Sequence, residues 1–339
     1  MAERCAQVLN RTLLELFEQR EDVYLIGEDV LDPYGGAFKV TRGLSDRFPG
    51  RVITTPISEL SLFGVASGMA IRGFRPILEI MFGDFIALGF DQIVNGISKF
   101  REMYDGQVTV PLVVRTPMGG RRGYGPTHSQ SLEKLLLGVP NIRVVAPSEC
   151  HEVGELLAEA VLDDDPVFFI ENKLMYGRPM RRRAGGYLGE LSCWERGEPY
   201  PSLTLSGNDF AGARATIATY GGMVPIAIEA ATELILEHEL FCEVVALSRL
   251  LPLDVEPVLD SVSRTGALIT AEEGGLTGGV GAELVARVQE EAWDELRAPA
   301  RRVAARDCAI PAAPTLEQRV LPASEDIVAA VLSLQGVEV

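Results

Sequence analysis

Val8, Leu9, Thr12, Leu13, Leu16 and Phe17 recur at the spacing of one helix face and predict an amphipathic helix over residues 3–19. The run VYLIG that follows has the length of a buried strand. Beyond it two patterns alternate: RVITTP, RPILEI, PLVVR, RVVAP and VFFIE read as strands, and SELSLFGVASGMAIRG, GDFIALGFDQIVNGISKF and EVGELLAEAVL as helices. Strands that are apolar at nearly every position are buried on both faces, which predicts a parallel sheet covered by helices on each side.

Between residues 178 and 213 the alternation dissolves into a stretch rich in Gly, Pro, Arg and Ser. It resumes with the strands ATIATYG, EVVAL, ALITAEE and RRVAAR. Helices are predicted over MVPIAIEAATELILEHE, Val255–Val262, AELVARVQEEAW and Asp326–Leu334. The expected fold class is therefore α/β, with two domains, each a mainly parallel sheet flanked by helices. Residues 1–185 form the first domain, 186–213 a linker and 214–339 the second.

Composition narrows the function. With 48 acidic against 31 basic residues and a formal charge of −17, the chain is a poor partner for nucleic acid, which needs clustered cations. No run reaches the ~18 to 20 apolar residues of a spanning helix, and the charged amphipathic start does not read as a signal peptide. No membrane association and a cytoplasmic location are expected. The five cysteines are odd in number, widely spaced and without C-x-x-C, so they suggest neither a disulfide framework nor a zinc site.

The doubly wound pattern raises the dinucleotide hypothesis, but no G-x-G-x-x-G follows the first strand or occurs elsewhere. The phosphate-loop signature G-x-x-x-x-G-K-[ST], H-E-x-x-H and the G-x-S-x-G elbow are also absent. What stands out is Glu59 in TTPISELSL, a lone carboxylate heading a long, nearly uncharged segment. It is either solvated in a first helical turn, where the macrodipole suits an acid, or buried for a chemical purpose.

Read together, GEDV, YGGAFKVTRGL, TPISE, RPILEIMFGDF, DQIVNGISK, HSQ and DDPVFFIEN resemble one family, and TYGGMV, EAATEL, LPLD, EEGGLTGGVGAEL and LEQRVLP extend the likeness. It is the β subunit of the decarboxylating component of 2-oxo acid dehydrogenase complexes (pyruvate, branched-chain and acetoin types), a transketolase-like thiamin diphosphate enzyme. The resemblance implies a pyrimidine-binding domain followed by a transketolase C-terminal-like domain for dimerisation and partner contact.

It also implies roles. Glu59 would hydrogen-bond the cofactor's pyrimidine ring nitrogen, Phe85 would stack on that ring, and His128 would act at the substrate end on developing oxyanions. Glu28 and Asp91 match acidic positions lying between paired active sites. Backbone around Leu112, Ala160, Val161 and Asp163 would hold a structural potassium ion. Thiamin enzymes grip the diphosphate through Mg²⁺ with a GDG motif that this sequence lacks. The resemblance therefore implies an α subunit that holds Mg²⁺, an α2β2 heterotetramer with shared thiamin diphosphate, and a lipoyl acyltransferase core as a further partner.

Some stretches depart from the family pattern: SCWERGEPYP, LSRLLPLD, the pair Ala312–Ala313 and the basic loop GGRRGYGP. They leave the acceptor open between lipoamide and a second carbonyl, the latter making an acyloin-forming carboligase. A non-catalytic scaffold subunit is the reading from another class, and the carboxylate at Glu59 argues against it.

Overall fold

The structure, a computed structural model, describes residues 3–181, 183–207 and 210–336. The first sheet contains β1 (Val23–Gly27), β2 (Val52–Thr54), β3 (Arg75–Glu79), β4 (Val113–Met118), β5 (Arg143–Val145) and β6 (Val167–Asn172). These six run parallel in the order β5-β6-β4-β3-β1-β2. All six residues of β4 are buried, as a central strand with helices on both faces requires. The strand order reverses between β1 and β3, and in open α/β sheets such a switch point opens a crevice at the carboxyl ends of the strands.

Helices Cys5–Gln19 and Val153–Leu162 cover one face. They cross closely at Gly154, where an added Cβ would lie 2.5 Å from Thr12 Oγ1 and 3.0 Å from a Val8 methyl. Helix Glu59–Ile71 covers the other face together with the segment after β3. That segment, expected as one regular helix over 83–100, is instead a 3₁₀ stretch at Gly83–Gly89 followed by a π-helical stretch at Gln92–Ile97. Close packing accounts for the glycine at the junction, because a Cβ on Gly89 would lie 2.1 Å from the Phe63 ring. Irregular turns of this kind concentrate at functional sites.

The second sheet contains β7 (Arg183–Ala184), β8 (Tyr187–Leu188), β9 (Leu191–Arg196), β10 (Ser202–Ser206), β11 (Ala215–Tyr220), β12 (Cys242–Leu247), β14 (Leu268–Gly275) and β15 (Arg301–Ala305). Its order is β15-β14-β11-β12-β10-β9-β8-β7, parallel from β15 to β12 and antiparallel from β10 outward. The stretch expected as a linker over 186–213 thus supplies three strands of this sheet. Its glycines and prolines make the turns between short strands, and β10 alternates apolar with small hydroxyl side chains, a pattern that composition alone conceals. The remaining strand, β13 (Arg249–Leu251), leaves the second domain and pairs antiparallel with β5 of the first, so the two units share a sheet edge.

Ionic groups tie the first sheet together inside. Arg115, 2 % exposed on β4, donates through Nε and Nη2 to both Glu171 carboxylate oxygens at 2.9 and 2.8 Å, and through Nη1 to Glu79 at 2.9 Å. The Tyr176 hydroxyl closes the network on Glu171.

At the domain boundary the Tyr220 hydroxyl donates to Glu133 at 2.6 Å, with Glu272 at 3.3 Å. Glu272 also accepts the Val280 and Gly281 N–H groups that open helix Val280–Glu291. Burial is the main cause that lifts the Glu272 carboxyl to about 7, and burial raises Glu133 as well. An acid raised on folding stabilises below its unfolded pKa and loses that contribution as pH rises through the folded value. Unfolding free energy is therefore expected to fall between about pH 4.5 and about pH 7, the interval between the ordinary and folded Glu272 values. Chemical denaturation across this range should show the decline, and Glu272→Gln should flatten it; an equal slope in the variant would remove Glu272 as its source.

Candidate active site

Most of the predicted residues follow the carboxyl ends of parallel strands, where the crevice opens. Glu28 directly follows β1, Glu59 starts the helix after β2, Phe85 lies after β3 and His128 on the loop after β4. Sheet topology thus gathers residues that are up to a hundred positions apart.

Glu59 is 5 % exposed although it occupies the first turn of its helix, so the solvated alternative is not the one adopted. Glu28 is equally buried and accepts the Ser58 N–H at 3.1 Å, which sets the two carboxylates side by side at the switch point. Burial raises the Glu28 carboxyl above its usual range and the charge of Glu59 raises it further, outweighing the Ser58 hydrogen bond. A raised carboxyl beside a like charge favours its protonated form, here on Glu28.

Phe85 and His128 form the second grouping. Their rings meet edge to face at 5.2 Å, and Phe82 contacts both, at 6.1 Å from Phe85 and 4.8 Å from His128. The imidazole Nδ1 lies 2.9 Å from Thr127 Oγ1, and among the described residues Nε2 has no partner. Asp91 stands apart: it is exposed and accepts a hydrogen bond from Asn95 in its own helical turn, a local role.

Two further residues hold the His128 loop. Lys173, fully buried just past β6, donates from Nζ to the carbonyls of Gly119 at 2.6 Å and His128 at 2.7 Å. Burial lowers its ammonium to about 8. Asp84, 8 % exposed, accepts both the backbone N–H and the side-chain amide of Gln130 through Oδ1, and its Oδ2 has no hydrogen-bond partner among the described residues. Sequence reasoning named neither. The signal for Lys173 was a charge directly after the carboxyl end of β6, a position that sheet topology directs to the functional edge of the sheet.

The set Leu112, Ala160, Val161 and Asp163 meets a competing cation. Arg75 Nη1 donates to the Val161 carbonyl at 2.9 Å and the Asp163 carbonyl at 2.8 Å, and Nη2 reaches Asp164 at 2.6 Å. The Leu112 carbonyl accepts the Val167 N–H at 2.8 Å. A potassium ion here would sit against a guanidinium, so these four residues do not fit the ion. Exchanging K⁺ for Na⁺ should leave the thermal midpoint of the chain unchanged, whereas Arg75→Ala should lower it by several degrees. A K⁺-specific rise in the wild type would restore the ion site.

Comparison with known proteins bears on this geometry. A family model described as the transketolase pyrimidine binding domain matches residues 4–179, and the transketolase C-terminal domain matches 209–327. A pyruvate dehydrogenase E1 component subunit beta of Leifsonia xyli subsp. xyli is 38 % identical over 95 % of this chain and 91 % of its own length. The corresponding protein of Rickettsia bellii is 36 % identical over 96 % of both chains, and that of Saccharomyces cerevisiae 36 % over 98 % of this chain and 88 % of its own. A split-gene transketolase, solved as an inactive β4 tetramer, shares the fold with a TM-score of 0.77, at 24 % identity over 98 % of both chains. Set beside the paired carboxylates at the switch point, these matches show that the chain belongs to the family of pyruvate dehydrogenase E1 component β subunits, built from a transketolase pyrimidine-binding domain and a transketolase C-terminal domain.

Proposed function

We propose that the chain is the β subunit of a thiamin diphosphate-dependent enzyme that decarboxylates a 2-oxo acid and passes the acyl group to lipoamide, working with an α subunit in an α2β2 assembly. The observation that carries this reading is the buried Glu28–Glu59 carboxylate pair at the switch point of a sheet whose next strands, β3 and β4, lead into Phe85 and His128. The residues present suit a planar, ring-nitrogen-bearing cofactor: a buried acid to meet the ring nitrogen and a half-buried aromatic to hold the ring flat.

Thiamin diphosphate, when bound, supplies the electron sink into which a 2-oxo acid loses CO₂. Glu59 offers its carboxylate to the pyrimidine nitrogen, and burial together with the Glu59 charge raises the neighbouring Glu28 carboxyl, which favours a proton on Glu28. His128 presents Nε2 toward the substrate end, because Nδ1 is engaged by Thr127. Lys173 and Asp84 fix the loop that carries it. Mg²⁺ and the diphosphate fall to the α chain. The pyruvate dehydrogenase names of the relatives support the 2-oxo acid class.

Co-expression with an α chain and assay of CO₂ release from pyruvate and branched 2-oxo acids, with and without a lipoyl acceptor, tests the reading. Thiamin-dependent release is expected from the assembled pair and none from the β chain alone. Turnover by the isolated chain would refute the shared site.

A further inference from the structure

The loop between β4 and β5 carries two consecutive arginines with opposite fates. Arg121, at φ +66°, is spent on anchoring: its N–H donates to Glu317 at 2.8 Å and its guanidinium to the Pro322 carbonyl at 2.5 Å, with Glu273 at 3.7 Å. Glu273 and Glu317 also accept the N–H groups of Gly120 at 2.5 Å and Gly123 at 3.2 Å. The nearby carboxylates of the second domain are thereby occupied. Arg122 is left exposed, with no hydrogen bond or ion pair among the described residues.

Arg122 is nonetheless positioned. Its guanidinium lies 5.9 Å from the Phe38 ring centre and 5.6 Å from that of Tyr124. Both rings touch Phe82, at 6.0 and 6.1 Å, and Phe82 contacts His128 at 4.8 Å. An aromatic path therefore links Arg122 to the imidazole. Behind it the buried Lys173 lies 5.4 Å from the Phe82 ring centre and hydrogen-bonds only carbonyl oxygens. Asp84, the other acid facing this region, is engaged by Gln130. In a chain of net charge −17, Arg122 is an exposed cation without an ion pair among the described residues, and behind it lies a buried ammonium that donates to carbonyls while Asp84, Glu273 and Glu317 act on it at longer range.

We infer that Arg122, held over Phe38 and Tyr124 and backed by Lys173, docks the carboxylate of an anionic 2-oxo acid substrate beside His128. A planar guanidinium suits a carboxylate, and stacking on aromatic faces leaves its donor edge free. An exposed cation at the site also raises the rate of encounter with an anion. This inference rests on the proposed function and adds the group that selects an anion.

Arg122→Gln in the assembled α/β complex should raise KM for the 2-oxo acid by about 10-fold while kcat falls by less than about 3-fold, because the docking contact is made before reaction. The salt dependence of kcat/KM should flatten in the same variant, and Arg122→Lys should recover part of both. Thermal midpoint and thiamin diphosphate affinity, read by cofactor titration, should stay at wild-type values. If wild-type complex turns over and the Gln variant keeps its KM and salt dependence, the inference is overturned and the proposed function stands. If wild-type complex releases no CO₂ from any 2-oxo acid, both fall.

Discussion

Glu59→Gln is expected to abolish thiamin-dependent CO₂ release, by at least about 100-fold, while the β chain still folds and assembles. The exchange keeps the size of the side chain and its place at the start of helix Glu59–Ile71 and replaces the carboxylate with a neutral amide. It also removes the charge that raises Glu28, so the fold loses a repulsion between two acids that are each 5 % exposed. Activity and stability should therefore part company. The thermal midpoint of the assembled variant should match or exceed that of the wild type, and CO₂ release should vanish at every pH. Turnover at the wild-type rate would take Glu59 out of the mechanism. A large loss of stability would instead give it a structural role.

Arg115→Met should be the most damaging single change to the first domain, costing about 3–5 kcal/mol. The substitution fills most of the volume but leaves Glu79 and Glu171 buried without their cation. Combining Arg115→Met with Glu171→Gln should recover part of the loss, since the pair is in direct contact and its effects do not add. Urea denaturation of the single and double variants checks both statements. A cost below about 1 kcal/mol for Arg115→Met would mean that water or neighbouring groups already compensate these charges.

The cluster around Arg115 shows where local reading ends. Its members lie on β3, β4 and β6 and just beyond, as many as 97 positions apart between Glu79 and Tyr176, and nothing in their flanking residues announces the network. Lys173 and Asp84 are similar: each reaches the His128 loop across a sheet, 45 or 46 positions away. Arg75 came to the carbonyls of Val161 and Asp163 by the same route and took the place expected for an ion. Segment 186–213 was misjudged for a different reason, since short antiparallel strands with Gly and Pro turns carry too few residues each for a period to emerge.

Other features were legible because they depend only on neighbours in the chain. The alternation of short apolar runs with longer periodic ones determined two α/β units and nearly every parallel strand, since burial on both faces demands apolar residues throughout. Motif order around Glu59, Phe85 and His128 determined the family. Only the tertiary structure decided that Glu28 and Glu59 are buried side by side, that β13 crosses into the first sheet, and that Arg122 is left unpaired while Arg121 is consumed. Periodicity records which face of an element avoids water, but the partner of a buried charge is set by strand order and register, which join residues that the chain itself keeps far apart.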